Sequence, residues 1–369
     1  MLIGVPREVK DGEFRVALSP AGAERLARDG HEVLFERGAG AQVGFADGAY
    51  REAGAKLADG PDAVWSCELI VKVKELQPAE FARPRRGQMV FGFQQFGPDA
   101  RLLDAALASR ATFIAYETVG QDDASLPIVA PMSALAGRLA VQIGAWYLHK
   151  QNGGSGVLLP GIDGVAPGRV TIVGAGNVGA NALAVAHGMG AAVTVFAKSG
   201  RRFDALRARH GDRLTLHAGV AGLAETLEDT DLLIGAVLTP GQMSPRLVTR
   251  AMLARMRMGS VLVDVGIDQG GIAETSRATT HSDPVYVEEG VLHYCVPNMP
   301  SACARTASLA LEHAVLPYAR ALARHGLRRA LEERPELASG VQVSAGLLTH
   351  EYLARDTRRA CTPLAKALA

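Results

Sequence analysis

The chain has 369 residues, 48% of them hydrophobic, with 39 basic and 38 acidic side chains and a formal net charge of +1. That length suits two domains of ordinary size, and the apolar fraction excludes a disordered chain. The balanced charge leaves no electrostatic footprint for nucleic acid or an anionic membrane, so a small molecule is the expected partner.

Leu2 to Val5 reads as a first strand and not as a signal peptide, because Arg7 and Glu8 break the apolar run. Ser19 followed by Pro20 predicts a capped helix to about Arg28, stopped by Gly30, with the next strand at His31 to Phe35. Leu69 to Lys74, Met89 to Phe93 and Thr112 to Tyr116 are further strands. Alternating β and α segments at this spacing predict mostly parallel sheets covered by helices, an α/β fold. Val129 to His149 is interrupted by Arg138 and Gln142, which predicts a long buried helix and not a membrane span. After a loop cluster at Gly153 to Gly161, a second series begins. Strands are expected at Arg169 to Val173, Ala192 to Phe196, Leu232 to Val237, Val261 to Val265 and Tyr294 to Val296. Helices are expected from the glycine turn to about Met189, at Arg246 to Arg255, at Ala307 to about His325, and in the tail from Leu347 to Arg355. The expected division is a dinucleotide domain at residues 128–304 and a substrate domain built from 1–127 plus 305–369.

Cys67, Cys295, Cys303 and Cys361 include no C-x-x-C pair, and His293 beside Cys295 is too little for a metal site, so no metal is expected. Few, scattered thiols suit a reducing, cytoplasmic setting.

The strand Val170 to Val173 runs into Gly174-Ala175-Gly176-Asn177-Val178-Gly179 and then an Ala-rich helix. Gly174 permits the tight turn, Gly176 admits a pyrophosphate to the backbone, and Gly179 lets helix and strand pack closely. The helix N-terminus stabilises phosphate charge. A glycine turn without a ligand is the plainer alternative, but strand, motif, helix and following strand are all in register for a dinucleotide. An NAD site ends its second strand with a carboxylate for the ribose 2′-hydroxyl. Here that strand ends in Ala197 and continues Lys198-Ser199-Gly200-Arg201-Arg202. A 2′-phosphate wants cations and is repelled by a carboxylate, so NADP(H) is expected over NAD(H). The alternative is a solvated basic turn beside an NAD site.

Ordered matches along nearly the whole chain are Gly4-Val5-Pro6-Arg7-Glu8, Glu13-Phe14-Arg15-Val16-Ala17, Lys72-Val73-Lys74-Glu75, Ala115-Tyr116-Glu117-Thr118 and Ala130-Pro131-Met132-Ser133. The dinucleotide half adds Gly235-Ala236-Val237-Leu238, the run Val263 to Gly271, and Asn298-Met299-Pro300. With these the chain resembles the alanine dehydrogenase family, which includes the nicotinamide-binding subunit of proton-translocating transhydrogenase. The resemblance implies two Rossmann-like domains, mostly parallel sheets, an active-site cleft between them, and a homo-oligomer, hexamer or dimer. It implies reversible oxidative deamination of alanine. Residue by residue, it implies Arg15 for the substrate carboxylate, Lys74 for substrate binding and catalysis, and Asp268 in the cleft near the nicotinamide. It also implies Ser133 in the cofactor cleft, with Val237, Leu238, Asn298 and Met299 on the nicotinamide side.

The sequence departs from the family's pattern at two positions. Ala197 replaces the aspartate that usually ends the second strand. Gln95, in Phe91-Gly92-Phe93-Gln94-Gln95, replaces the catalytic histidine. Several functions therefore remain open on sequence: an alanine dehydrogenase, a reductase of preformed or condensed imines such as a carboxyalkyl amino-acid synthase, a transhydrogenase-type subunit, or a nucleotide-sensing regulator. The complete Arg15 and Lys74 pattern favours an enzyme acting at an amino- or imino-acid carbon. Without the resemblance, Lys72 and Lys74 would equally suit the protection of a strand edge, Arg15 a surface arginine, and Asp268 a helix cap.

Overall fold

A computed structural model describes residues 1–120, 125–211, 214–237 and 243–369. Strands β1 (Leu2–Val5), β2 (Glu32–Glu36), β3 (Lys56–Ala58), β4 (Leu69–Val71), β5 (Met89–Gly92) and β6 (Thr112–Ala115) come first. They are followed by β7 (Arg169–Val173), β8 (Ala192–Ala197), β9 (Leu214–Ala218), β10 (Leu232–Gly235), β11 (Val261–Asp264), β12 (Val285–Glu288) and β13 (Val291–Tyr294). Late in the chain come β14 (Val341–Ser344) and β15 (Leu347–Leu348). The helices that matter most are α1 (Pro20–Arg28), α2 (Val129–Tyr147), α3 (Asn177–Gly188) and α4 (Ala304–Glu333). The chain divides into two compact units, Met1–Met132 with Ser301–Ala369, and Ser133–Pro300. Among the described residues no helix is long and apolar enough to cross a membrane.

The first unit holds a sheet in the order β15-β14-β6-β5-β4-β1-β2-β3. From β3 to β6 every neighbour is parallel. The central strands Leu69–Val71, Met89–Gly92 and Thr112–Ala115 are buried along their length, as continuous apolar runs covered on both faces should be. The strand order reverses between β1 and β4, and a sheet of this kind takes ligands at the carboxyl edge beside such a switch. Ser19 caps α1 as expected, its Oγ accepting the Gly22 N–H at 3.2 Å.

The second unit holds a sheet in the order β12-β13-β11-β10-β7-β8-β9. It is parallel except for β12, an antiparallel edge strand that the sequence reading missed. Its switch lies between β7 and β10. Val173, Phe196, Leu233, Leu262 and Ile272 share one buried cluster that ties the sheet to its covering segments.

Some expected elements differ. The tail is not helical from Leu347: Ala345 and Gly346 both take positive φ, 53° and 86°, and turn β15 back on β14 as a two-residue hairpin. The tail helix begins only at Glu351. Of Arg246 to Arg255 only Arg250–Leu253 is helical. Helix α4 is longer than expected, and Gly326 (φ 67°) breaks it just past the predicted end at His325. Lys72 and Lys74 are not on a regular strand. β4 ends at Val71, because the Val73 N–H is taken by the Glu8 carboxylate at 2.6 Å.

Candidate active site

In the first unit the segments that leave β1, β4, β5 and β6 at their carboxyl ends carry the polar residues. Arg15 and Lys74 are both buried, at 3% and 5% exposure, so neither is a surface cation. Arg15 donates Nε to Glu13 Oε1 at 2.7 Å and Nη2 to Oε2 at 2.6 Å, and its Nη1 faces Met132 Sδ at 3.3 Å. Lys74 Nζ pairs with Glu75 Oε2 at 3.2 Å and stands 5.9 Å from the centre of the Phe93 ring. Lys72 is committed elsewhere: its Nζ lies 2.8 Å from Glu80 and 3.8 Å from Glu8. That locks it as a structural cation, whereas among the described residues Lys74 has the single ion pair with Glu75.

Glu8 spans the switch point. Its Oε1 accepts from Val73 N at 2.6 Å and its Oε2 from Lys74 N at 3.4 Å. Burial lifts the Glu8 carboxyl to about 7; Lys72 pulls it down, while the charges of Glu13 and Glu80 push it up. Gln95 follows β5 in the left-handed region, φ 47°. Its N–H donates to Glu117 Oε1 at 2.7 Å. Burial raises the Glu117 carboxyl; the N–H groups of Gln95 and Gln94 and the charge of Lys74 oppose the rise. Glu13 thus holds Arg15, Glu8 the backbone of Lys74 and Glu117 the backbone of Gln95, and the charges of Glu13 on Glu8 and of Lys74 on Glu117 act between these part-buried groups.

In the second unit the glycine loop joins β7 to α3. A Cβ on Gly179 would stand 1.8 Å from Gly174 O, and one on Gly174 (φ 114°) 2.4 Å from Ala236 O at the end of β10. Both glycines are required by packing. Nothing lies within 4 Å of the corresponding point on Gly176, which is exposed at the N-cap of α3. An open glycine over the positive end of a 12-residue helix, at the switch point of a parallel sheet, fits the pyrophosphate of a dinucleotide. Asn177 is exposed beside it, while Val178 is buried.

Ala197 ends β8 and is buried. Lys198, Ser199, Arg201 and Arg202 are exposed after it, and Arg202 Nη1 reaches back to Ala175 O at 3.1 Å. The basic turn therefore touches the glycine loop.

Asp268 is exposed in the short helical turn Ile267–Gln269. That turn is organised by Asp264, which accepts from Gly266 N at 3.2 Å, Ile272 N at 2.8 Å and Ser276 Oγ at 2.6 Å. Val237 follows β10, its carbonyl accepting from Ser244 Oγ at 3.2 Å. Leu238 lies outside the described residues. Asn298 takes φ 64°, a conformation asparagine tolerates, just ahead of the buried Met299. Ser133 is half-buried on α2.

The sequence reading assigned no role to Glu8, Glu13, Glu117 or Asp264. All four stand in the matched runs, Glu13 and Asp264 in the same runs as Arg15 and Asp268, and a carboxylate inside an apolar stretch, as at Asp264, was the available signal.

Residues 4–136 match the family model described as alanine dehydrogenase/PNT, N-terminal domain, and residues 140–351 its C-terminal domain. Alanine dehydrogenase of Halomonas elongata is 48% identical over 356 residues, 96% of each chain. A solved L-alanine dehydrogenase superposes with a TM-score of 0.94 at 44% identity, over 97% of this chain and 99% of that one. A transhydrogenase from Sinorhizobium meliloti shares the fold, with a TM-score of 0.83 at 24% identity over 95% of this chain and all of that one.

Proposed function

The chain belongs to the alanine dehydrogenase/PNT family, and from that premise we propose how its residues divide the reaction. It is an oxidoreductase acting on CH–NH2 groups, moving hydride between a nicotinamide and the α-carbon of a small amino or imino acid. That function takes precedence over the transhydrogenase-subunit and regulatory alternatives, since identity to the solved L-alanine dehydrogenase is 44% and to the transhydrogenase 24%.

The nicotinamide supplies the hydride chemistry when bound; the chain supplies orientation and electrostatics. In our reading Arg15, held rigid by Glu13, takes the substrate carboxylate. Lys74 polarises the keto or imine group, and Asp268 orients the nitrogen. Gln95 hydrogen-bonds the substrate without titrating, so an imine that already carries its proton is the form this site reduces best. Gly174, Gly176, Asn177, Val178 and Gly179 receive the pyrophosphate, while Ser133, Val237, Asn298 and Met299 line the nicotinamide side. The observation that carries the substrate assignment is the burial of Arg15 and Lys74 at the carboxyl edge of the first sheet. Lys74→Ala tests it: turnover should vanish with NADPH affinity retained, and unaltered turnover would overturn it.

NADPH is the proposed cofactor in preference to NADH. What supports this is Ala197 in place of a carboxylate, followed by three exposed cations beside the glycine loop. Comparative titration of the two cofactors is the test, and tighter NADH binding would overturn it.

We also propose a cytoplasmic homo-oligomer, a hexamer or a dimer. Four free thiols suit a reducing compartment, and Trp146, Leu158, Ile162 and Val165 leave apolar surface exposed. Light scattering that finds a monomer would overturn the assembly.

A further inference from the structure

The run Ala115-Tyr116-Glu117-Thr118 has no part in the reaction as described so far. β5 and β6 are parallel neighbours, with Gly92 opposite Ala115, so the chain leaves both strands side by side. Residues 94 and 95 thereby come alongside Glu117. Glu117 Oε1 accepts from Gln95 N at 2.7 Å and from Gln94 N at 3.1 Å, and Oε2 accepts from Gln94 N at 3.2 Å. Two consecutive backbone donors thus converge on one carboxylate. They hold Gln95 at φ 47°, where a glutamine backbone does not rest unaided.

A carboxylate drawn largely out of water is costly to keep ionised unless hydrogen bonds and nearby charge compensate it. Here the two backbone donors and the charge of Lys74 oppose the upward pull of burial. Those are the groups on either side of the substrate position, the β4 segment with Lys74 and the β5 segment with Gln95. We infer that Glu117 is a positioning residue for the substrate site: its carboxylate fixes the Gln94–Gln95 backbone and so aims the Gln95 side chain at the substrate. The inference rests on the reading of Gln95 as a substrate-facing residue.

Glu117→Gln keeps the size of the side chain but turns one acceptor oxygen into an NH2 donor, so that the Oε2 contact with Gln94 N becomes a donor facing a donor and one oxygen is left for both N–H groups. A double-mutant cycle with Gln95→Ala separates positioning from general structure. Expected for Glu117→Gln alone is a kcat lower by about tenfold, with KM and the NADPH dissociation constant within about twofold of wild type. In the Gln95→Ala background the same change should cost nothing further, because there is no side chain left to aim. An equal loss of kcat in both backgrounds marks a merely structural carboxylate and overturns the inference, as does no loss in either. If Gln95→Ala itself leaves kcat unchanged, the reading of Gln95 fails first and the inference falls with it. Should Glu117→Gln fail to fold, Glu117→Asp, which keeps both acceptors but withdraws them by one methylene, is read in the same cycle.

Discussion

Glu13 clamps Arg15 at two points, Oε1 on Nε at 2.7 Å and Oε2 on Nη2 at 2.6 Å, with the side chains 0% and 2% exposed. An arginine that only received substrate could be truncated without harm to the fold; this one neutralises a buried carboxylate. Arg15→Ala should therefore cost stability, by up to about 3–5 kcal/mol, as well as turnover, because Glu13 loses the guanidinium that neutralises it. Adding Glu13→Gln should restore much of the stability and none of the activity. Urea unfolding and steady-state kinetics on the single and double variants check this. Wild-type stability in Arg15→Ala would show that the pair does not hold the fold.

The same pair shows where sequence reading reaches and where it stops. The strand, glycine turn and helix at 169–188 were legible because every determinant is local: apolar run, three glycines, Ala-rich helix. Ser19 as a cap was legible for the same reason. The carboxylates were not. Glu8 meets the backbone of Val73 and Lys74 across some 65 positions, and nothing in either segment announces the other. Strand β14 pairs with β6 across more than 200 positions and draws Leu347–Leu348 into the same sheet, so the start of the tail was misread as helix, while the helix expected to Arg355 is present from Glu351. Lys72 and Lys74 alternate like a strand face, but only contacts with Glu80, Glu8 and Glu75 separate the locked lysine from the other.

The glycines of the loop should separate in experiment. Gly179→Ala puts a methyl group 1.8 Å from a backbone oxygen, so it should fold poorly or not at all. Gly176→Ala enters open space and should leave the melting temperature near wild type while weakening dinucleotide binding about tenfold or more. Thermal melts beside cofactor titrations decide it. If Gly176→Ala binds both dinucleotides normally, the loop does not contact the pyrophosphate.

Cofactor preference should lie with NADPH by about 10- to 100-fold, the worth of a charge-assisted contact to the 2′-phosphate. Ala197→Asp should reverse it, since a carboxylate at the end of β8 repels that phosphate and accepts from a ribose hydroxyl. Arg202→Ala should weaken NADPH and spare NADH. Fluorescence titration with both dinucleotides checks all three proteins. Equal affinities in the wild type would reduce the basic turn to a solvated surface.

Glu8 should impose a pH dependence on stability. Its carboxyl is raised from 4.5 to about 7, chiefly by burial, so between those values the folded protein keeps a proton that the unfolded chain has lost. Stability from this group is present below about 4.5, declines as pH rises through about 7, and stays low above it. The span corresponds to about 3 kcal/mol. Glu8→Gln, which cannot ionise, should remove that decline. Unfolding free energies at about pH 5 and pH 8 for both proteins give the comparison; parallel slopes would show that Glu8 titrates normally.

Gln95 carries the sharpest chemical expectation. A glutamine amide donates and accepts hydrogen bonds but does not titrate near neutrality, whereas imidazole does. Deamination of alanine moves protons as water adds to the imine and ammonia leaves, which is general acid–base work. With Gln95 in place the reaction should run below the capacity of the site, and Gln95→His should raise alanine turnover by about 10²- to 10⁴-fold. The backbone favours the exchange. Position 95 sits at φ 47°, and histidine is one of the residues enriched in that region, so the substitution should not strain the segment. The gain should also bring a new ionisation into the pH–rate profile between about pH 6 and 8, absent from the wild type. Alanine assays in both directions on the two proteins make the comparison. A wild-type kcat of roughly 10 s⁻¹ or more would show that another group already performs the proton transfers, and the histidine variant would then gain nothing.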